Sequence, residues 1–205
     1  MDNLCSVRER LNQMGHLALS MLRDTFSGFM EHDSDILAVV LKNEQKLNDL
    51  EKSVATYFSG ISKTDIKTRN KANIMRIAAI ALDLELIGDY VKDMVERIEI
   101  KIEEKLLFDD AAVDEYKRLY KAVELELSAT VKALDNGDKK LVKRVLEHEG
   151  YIDRLVKKYR DSHTKRLLSG VCEPRSCNMF LNLLDFTAQI SHYTKAIARS
   201  LLLIK

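Results

Sequence analysis

One stretch of the sequence has apolar or small residues at alternating steps of three and four over about four heptads. It consists of Ile74, Ile77, Ala81, Leu84, Gly88, Val91, Val95, Ile98 and Ile102. This spacing is typical of one face of a long α-helix packed against other helices. A strand alternates its faces every two residues and does not produce it. The stretch therefore predicts a long helix within a bundle.

Similar rows of apolar residues at helical spacing, which we call stripes, run through residues 36–57, 141–159 and 180–201. Two less regular stripes lie at about 6–30 and 110–134. The 205 residues include only 1 Pro and 7 Gly, too few for the many tight turns of an all-β fold. Four of these residues fall between the stripes: Gly60, Gly137 and Gly170 end helices, and Pro174 begins the last one. We therefore predict an all-α chain of six helices with short, antiparallel connections.

Capping side chains precede several of these stripes. The candidates are Asp33 or Ser34, then Ser62, Thr64 or Asp65, then Asp109 or Asp110, and finally Asp138. Their oxygens accept hydrogen bonds from the first free backbone N–H groups of a helix. They indicate where the predicted helices begin.

The chain also repeats itself at a fixed distance. Residues 40–50 resemble residues 145–155, an offset of 105, and residues 87–90 resemble residues 190–193, an offset of 103. An internal duplication explains six helices economically. We predict two tandem antiparallel three-helix bundles, the first in residues 1–106 and the second in residues 107–205.

Composition narrows the class of protein. A hydrophobic share of 46% with a net charge of +1 excludes intrinsic disorder. No apolar run of 18 residues occurs, and the N-terminal residues lack the apolar core of a signal peptide. The three cysteines are Cys5, Cys172 and Cys177; the last two lack Cys-x-x-Cys spacing and a nearby His in sequence. A reduced, cytoplasmic protein is expected.

Four side-chain pairs with i,i+4 spacing lie one residue after consecutive stripe positions. They are Glu44/Asn48, Glu85/Asp89, Glu149/Asp153 and Ala188/His192. Two carboxylates so placed repel each other by a few tenths of a kcal/mol, so water, a basic side chain or a metal cation should lie beside them. Such pairs are also common on a solvated helix flank, and both interpretations stay open. Gly88 lies between Glu85 and Asp89, and its missing Cβ would let a neighbouring helix approach closely.

Three segments resemble the PhoU family. Residues 76–94, which contain Glu85-Leu-Ile-Gly-Asp89, resemble its signature helix. Residues 40–51 resemble its second helix, and residues 149–155 resemble the copy of that helix in the second repeat. The resemblance covers nearly the whole chain, including the duplicated architecture.

The resemblance implies a cytoplasmic, non-enzymatic regulator of phosphate uptake, peripheral to the inner face of the membrane. Its implied partners are a membrane phosphate transporter, a sensor histidine kinase and a second copy of itself. The family also implies a metal ion or small cluster of iron, zinc or nickel. The matching ligand positions are Glu85, Asp89, Glu44 and Asn48 in the first repeat and Glu149 and Asp153 in the second. Ala188 and His192 depart from the acidic pattern, which puts the second site in doubt.

Residues 163–174 with residues 180–184 most resemble the PhoU-type cytoplasmic tail of bacterial sodium/phosphate cotransporters. In those proteins a membrane segment precedes the PhoU region. An excised transporter tail and a stand-alone relative both remain open.

The sequence lacks the motifs of the enzyme classes that a helical chain of this kind suggests. A ferritin-like di-iron site needs Glu-x-x-His on two helices, but the residues three before each His are Gln13, Phe29, Val145, Arg160 and Gln189. Neither a Gly-x-Ser-x-Gly elbow nor a glycine-rich phosphate loop occurs. No catalytic residue is predicted.

One region is strongly basic. It contains Lys139, Lys140, Lys143, Arg144, Arg154, Lys157, Lys158, Arg160, Lys165 and Arg166. A solvated helix face, a contact with an anionic membrane or transporter loop, and salt-sensitive nucleic-acid binding are the alternatives. We expect no nucleic-acid partner, because the whole chain is balanced in charge. A helical scaffold that dimerises through its long helices is a further alternative.

Overall fold

Helices make up almost all of the computed structural model, which describes residues 4–60, 68–147 and 150–204. In chain order they are α1 Leu4–Glu31, α2 Ser34–Ser59, α3 Thr68–Glu103, α4 Asp110–Asn136, α5 Lys139–Glu147, α6 Tyr151–Leu168 and α7 Pro174–Leu203. No strand occurs in these ranges. The all-α prediction is confirmed. The fifth predicted helix is divided into α5 and α6 near Gly150, whose φ of +80° is incompatible with a continuous α-helix.

The helix boundaries follow from local chemistry. Asp33 caps α2, its Oδ1 accepting from the backbone N–H of Asp35 at 2.9 Å. Asp109 caps α4 in the same way, accepting from Ala112 at 2.9 Å. Gly137 ends α4 in the left-handed conformation at φ +72°. These contacts decide between the alternative caps, except Ser62, Thr64 and Asp65, which lie outside the described residues.

The packing of the helices follows the order of the repeat. Helices α1, α2 and α3 contact one another, while α4 contacts α5, α6 and α7. The two groups meet through α3 with α7 and α1 with α4. A single apolar core continues across this junction, from Leu84 and Val91 of α3 to Leu119 of α4 and Ile190 of α7. The domain boundary at residues 106 and 107 stays a prediction.

Polar contacts reinforce the junction between α1 and α4. Arg23 Nε donates to Glu124 Oε1 at 3.0 Å, and the Glu124 side chain is buried. His16 Nε2 lies 2.9 Å from Asp135 Oδ2. Along the described helices, none is both long enough and apolar enough to cross a membrane.

Candidate metal centre between the second and third helices

Helices α2 and α3 pack tightly against each other at Gly88, which is buried. A Cβ built on Gly88 would collide with Cδ2 of Leu47 on α2. The predicted close approach at this glycine is thereby confirmed. Glu85 and Asp89 flank Gly88 at −3 and +1, and the pair on α2 flanks Leu47 in the same way. The crossing therefore brings both predicted pairs to one place.

The pair on α2 consists of Glu44 and Asn48, which are joined by a hydrogen bond. Asn48 Nδ2 donates to Glu44 Oε1 at 2.9 Å, and Glu44 is only 6% exposed. Lys92 on α3 places Nζ 3.6 Å from the same carboxylate oxygen. The Oδ1 atom of Asn48 is buried and has no hydrogen-bond partner. The acidic cluster therefore includes an amide oxygen that has no hydrogen-bond partner and could coordinate a cation.

The pair on α3 shows the electrostatic cost of this arrangement. Burial raises the pKa of Glu85, and the neighbouring carboxylates of Asp89, Glu51 and Glu44 raise it further. Burial also raises the pKa of Asp89, with Glu44 adding to the rise and Lys92 opposing it. Glu85 and Asp89 share a hydrogen bond, which requires one of the two carboxyl groups to be protonated. The cluster therefore favours a proton or a cation.

The donor atoms are adjacent, but they are not gathered around one point. Among the described residues, three ligand atoms lie within 4.8 Å of one another only at His163, Cys172 and Cys177. Glu44, Glu85 and Asp89 do not meet that distance, and Lys92 supplies a positive charge to Glu44 instead. Metal coordination here would need side-chain rotation. All the candidate donors are oxygens, which favours a hard cation over a soft one.

The second repeat lacks an equivalent cluster in its described part. Asp153 is exposed on α6, and Glu149 lies outside the described residues. On α7, Ala188 offers no donor, and His192 is exposed. The structure therefore does not bring Asp153 together with a second predicted ligand.

A different buried network occupies the position of Gly88 in the second repeat. Its counterpart Ser191 donates through Oγ to Glu126 Oε2 at 2.6 Å. Lys195 lies 3.6 Å from Glu126, and all three residues are buried. The negative charge is thus balanced by a lysine of the same protein.

Two members of the α2–α3 cluster were not predicted from the sequence. Glu51 lies seven residues after Glu44, and Lys92 lies three after Asp89. Both offsets return to the same helix face. Extending the pair pattern by one helical turn would have found them.

Two arginines of the basic region on α5 and α6 form ion pairs within the protein. Arg160 pairs with Asp185, and Arg166 pairs with Asp109 at 3.2 Å and Glu115 at 2.7 Å. The remaining basic side chains of the region are exposed: Lys139, Lys140, Lys143, Arg144, Arg154, Lys157, Lys158 and Lys165. Lys158 and Arg144 also line a groove of about 960 Å³ between α4 and the α5–α6 pair.

The cysteines differ from expectation. Cys172 and Cys177 form a disulfide, so the expectation that they are reduced is wrong for this structure. The expectation that they lack a nearby His is also wrong, because His163 lies beside both. The sequence distance concealed this contact, since the turn between α6 and α7 folds the chain back on itself.

Comparison with known families identifies the segment that contains the acidic cluster. Residues 11–98 match the family model of the PhoU domain. This part of the chain is therefore similar to a PhoU domain. The predicted resemblance to PhoU is confirmed, although no curated protein matches the chain.

Solved structures extend the PhoU fold to the second repeat. PhoU from Pseudomonas aeruginosa superposes with a TM-score of 0.87 at 19% identity, covering 98% of this chain and 96% of that one. The phosphate transport system regulatory protein PhoU from Streptococcus pneumoniae gives 0.81 at 12%, covering 98% and 94%. A PhoU-like protein from Shewanella oneidensis gives 0.63 at 14%, covering 97% and 95%. The chain therefore has the fold of PhoU phosphate transport regulators over almost its full length.

Proposed function

We propose that the protein regulates phosphate uptake by binding a membrane phosphate transporter from the cytoplasmic side. The observation that carries this proposal is the match of residues 11–98 to the PhoU domain, within a PhoU fold that covers 98% of the chain. A sensor histidine kinase and a second copy of the chain are further partners in the same proposal. No catalytic role is assigned to any residue.

The proposal is tested in the cell that makes the protein. We expect deletion of residues 1–205 to change the rate of phosphate uptake, and expression of the chain from a plasmid to restore it. Unchanged uptake at both high and low external phosphate would contradict the proposal. Fusion of a membrane-spanning segment upstream, seen in the gene, would instead favour the regulatory domain of a sodium/phosphate cotransporter.

The metal centre is a separate part of the proposal. Glu44, Asn48, Glu85 and Asp89 would hold a metal ion or small cluster, with their side chains rotated towards it. The raised pKa values of Glu85 and Asp89 and the unpartnered Oδ1 of Asn48 support this assignment. A bound cation would replace the shared proton and offset the carboxylate repulsion.

Metal analysis of protein purified without chelator tests this centre. We expect the Glu85→Ala/Asp89→Ala double variant to lose the bound metal, because it removes both carboxylates of α3. The matched control is Glu147→Ala/Asp161→Ala, which removes two exposed carboxylates from α5 and α6 that are not candidate ligands. Equal metal content in the wild type and the Glu85/Asp89 variant would overturn the assignment.

A further inference from the structure

The turn between α6 and α7 gathers three side chains that zinc prefers. His163 lies in α6, Cys172 lies in the turn, and Cys177 lies in the first turns of α7. Their ligand atoms fall within 4.8 Å of one another, and no other set of three His, Cys, Asp or Glu residues in the described ranges does so. We propose that reduction of the Cys172–Cys177 disulfide converts this turn into a zinc-binding site.

His163 is held in the form that a metal requires. It is 2% exposed and stacks on Phe180, with the ring centroids 4.4 Å apart. Burial lowers its pKa, and the guanidinium of Arg166 lowers it further. Only a neutral imidazole nitrogen has a lone pair to give to a metal.

The hydrogen bonds of His163 also select the ligand atom. Nε2 lies 3.1 Å from the carbonyl oxygen of Cys177 and donates its proton there, because a carbonyl only accepts. Nδ1 therefore carries the lone pair and accepts from Arg166 NH2 at 3.2 Å. Zinc binding exchanges this contact for a metal bond. Arg166 keeps its ion pairs with Asp109 and Glu115. The bond from Nε2 to the carbonyl is the outer-shell contact that orients a ligating histidine.

The two cysteines supply the remaining protein ligands after reduction. A dithiol reductant delivers two electrons and two protons, breaking the S–S bond and leaving two thiols, while the reductant becomes a disulfide. Zinc then displaces both thiol protons to the solvent and bonds to two thiolates. Cys177 lies at the N-terminus of α7, where the helix dipole favours its thiolate.

The surroundings accommodate the change in geometry. Two sulfurs on one zinc lie farther apart than in a disulfide, since each Zn–S bond is roughly 2.3 Å long. The backbone around Cys172 lies in an exposed turn, and Cys172 itself is only half-buried, which gives metal and reductant access from that side. Three protein ligands leave the fourth tetrahedral position to water.

Cobalt(II) titration of the full-length protein provides the test, because a Co²⁺–thiolate bond gives an intense near-ultraviolet charge-transfer band that oxygen ligands do not give. We expect one equivalent of Co²⁺ to produce this band in protein reduced with a phosphine. Added Zn²⁺ should displace the Co²⁺ and abolish the band. The disulfide form should give no band.

Variants assign the band to this turn. Cys172→Ser should remove it, while Cys5→Ser, which changes the third cysteine of the chain, should leave it unchanged. His163→Gln should weaken binding by at least about tenfold, and circular dichroism checks that this variant remains folded. Absence of the band in reduced wild type, or its full retention in Cys172→Ser, would overturn the proposal. Glu85→Ala/Asp89→Ala should keep the band, which separates this site from the α2–α3 centre.

Discussion

At the scale of single residues, Gly88 determines how closely α2 and α3 can pack. We predict that Gly88→Ala destabilises the protein by about 1–3 kcal/mol, because overpacking a close contact costs more than the helix propensity that alanine gains. The new Cβ would collide with Cδ2 of Leu47. Denaturant unfolding measures the loss.

Leu47 provides the matched control for this prediction. In a Leu47→Ala background the collision disappears, so adding Gly88→Ala should cost little beyond the cavity left by Leu47. Additive losses in the double variant would show that the collision is not the cause.

A second residue on α3 should make stability depend on pH. Burial raises the pKa of Asp83 from 3.8 to about 6, although the charge of His192 on α7 opposes the rise. A raised pKa in the folded state means that the protonated form contributes stability. That contribution is fully present below about pH 4 and is lost as the pH rises through about 6.

Replacing this carboxyl group should therefore stabilise the protein at neutral pH only. We expect Asp83→Asn to add about 1 kcal/mol at pH 7, after discounting for partial exposure, and nothing near pH 4. Urea unfolding across this range measures the difference. A carboxyl titration midpoint of Asp83 near 4 by NMR would contradict the prediction.

The sequence pattern predicted which acidic residues form the cluster, but it did not predict the residues that balance their charge. Glu44, Glu85 and Asp89 shared a register that helical spacing alone reveals, and the structure places them at one crossing. The partners that balance charge come from side-chain reach across helices, as Lys92 does for Glu44. Helical periodicity places Lys92 on the same face of α3 as Asp89, but it does not show that its side chain reaches Glu44 on α2. The same reason explains why His163 was missed beside Cys172.

At the scale of elements, the division between α5 and α6 is the main departure from the predicted helices. The apolar spacing continues from Leu141 to Tyr159, so the stripe predicted one helix. Gly150 adopts φ +80° and begins α6. Periodicity indicates which face of a helix is buried, but it does not reveal a residue with a left-handed backbone such as Gly150.

This conformation gives an element-scale prediction. Gly150→Ala should destabilise the protein by about 1–2 kcal/mol, because an L-residue pays that cost in the left-handed region. Within the described part of the chain, a Cβ there meets only the guanidinium of Arg154 at an ordinary 3.5 Å, so this contact adds little. Thermal unfolding followed by circular dichroism measures the loss. Gly60→Ala is the control, since Gly60 has φ −78° and should tolerate alanine. Equal effects at both positions would refute the conformational explanation.

At the scale of the whole molecule, the duplication has produced two halves with different surfaces. Both halves contribute to one continuous core. The first half has an acidic crossing at Gly88, whereas the second has the neutralised network of Ser191, Glu126 and Lys195. The exposed cations of the basic region lie on α5 and α6 of the second half. The repeat in the sequence predicted the shared architecture, but divergence at single positions decides which half has which chemistry.

The basic surface of α6 leads to a prediction about the transporter. We expect an acidic cytoplasmic segment of the transporter to dock there, because the exposed cations complement it in charge and line grooves along α6. Lys157→Glu/Lys165→Glu should reduce copurification of the transporter from detergent extracts by about tenfold at low salt. The loss should shrink at high salt, where surface charges are screened.

A charge-matched variant decides whether this effect is local. Lys42→Glu/Lys52→Glu makes the same change in net charge on the exposed face of α2 and should copurify like the wild type. An equal loss in both variants would reduce the effect to net charge and refute docking on α6. Binding to vesicles that contain phosphatidylglycerol distinguishes a transporter from an anionic membrane as the partner of this surface. If wild type binds them without transporter and Lys157→Glu/Lys165→Glu does not, the anionic membrane is the partner of this surface, and the transporter assignment is wrong.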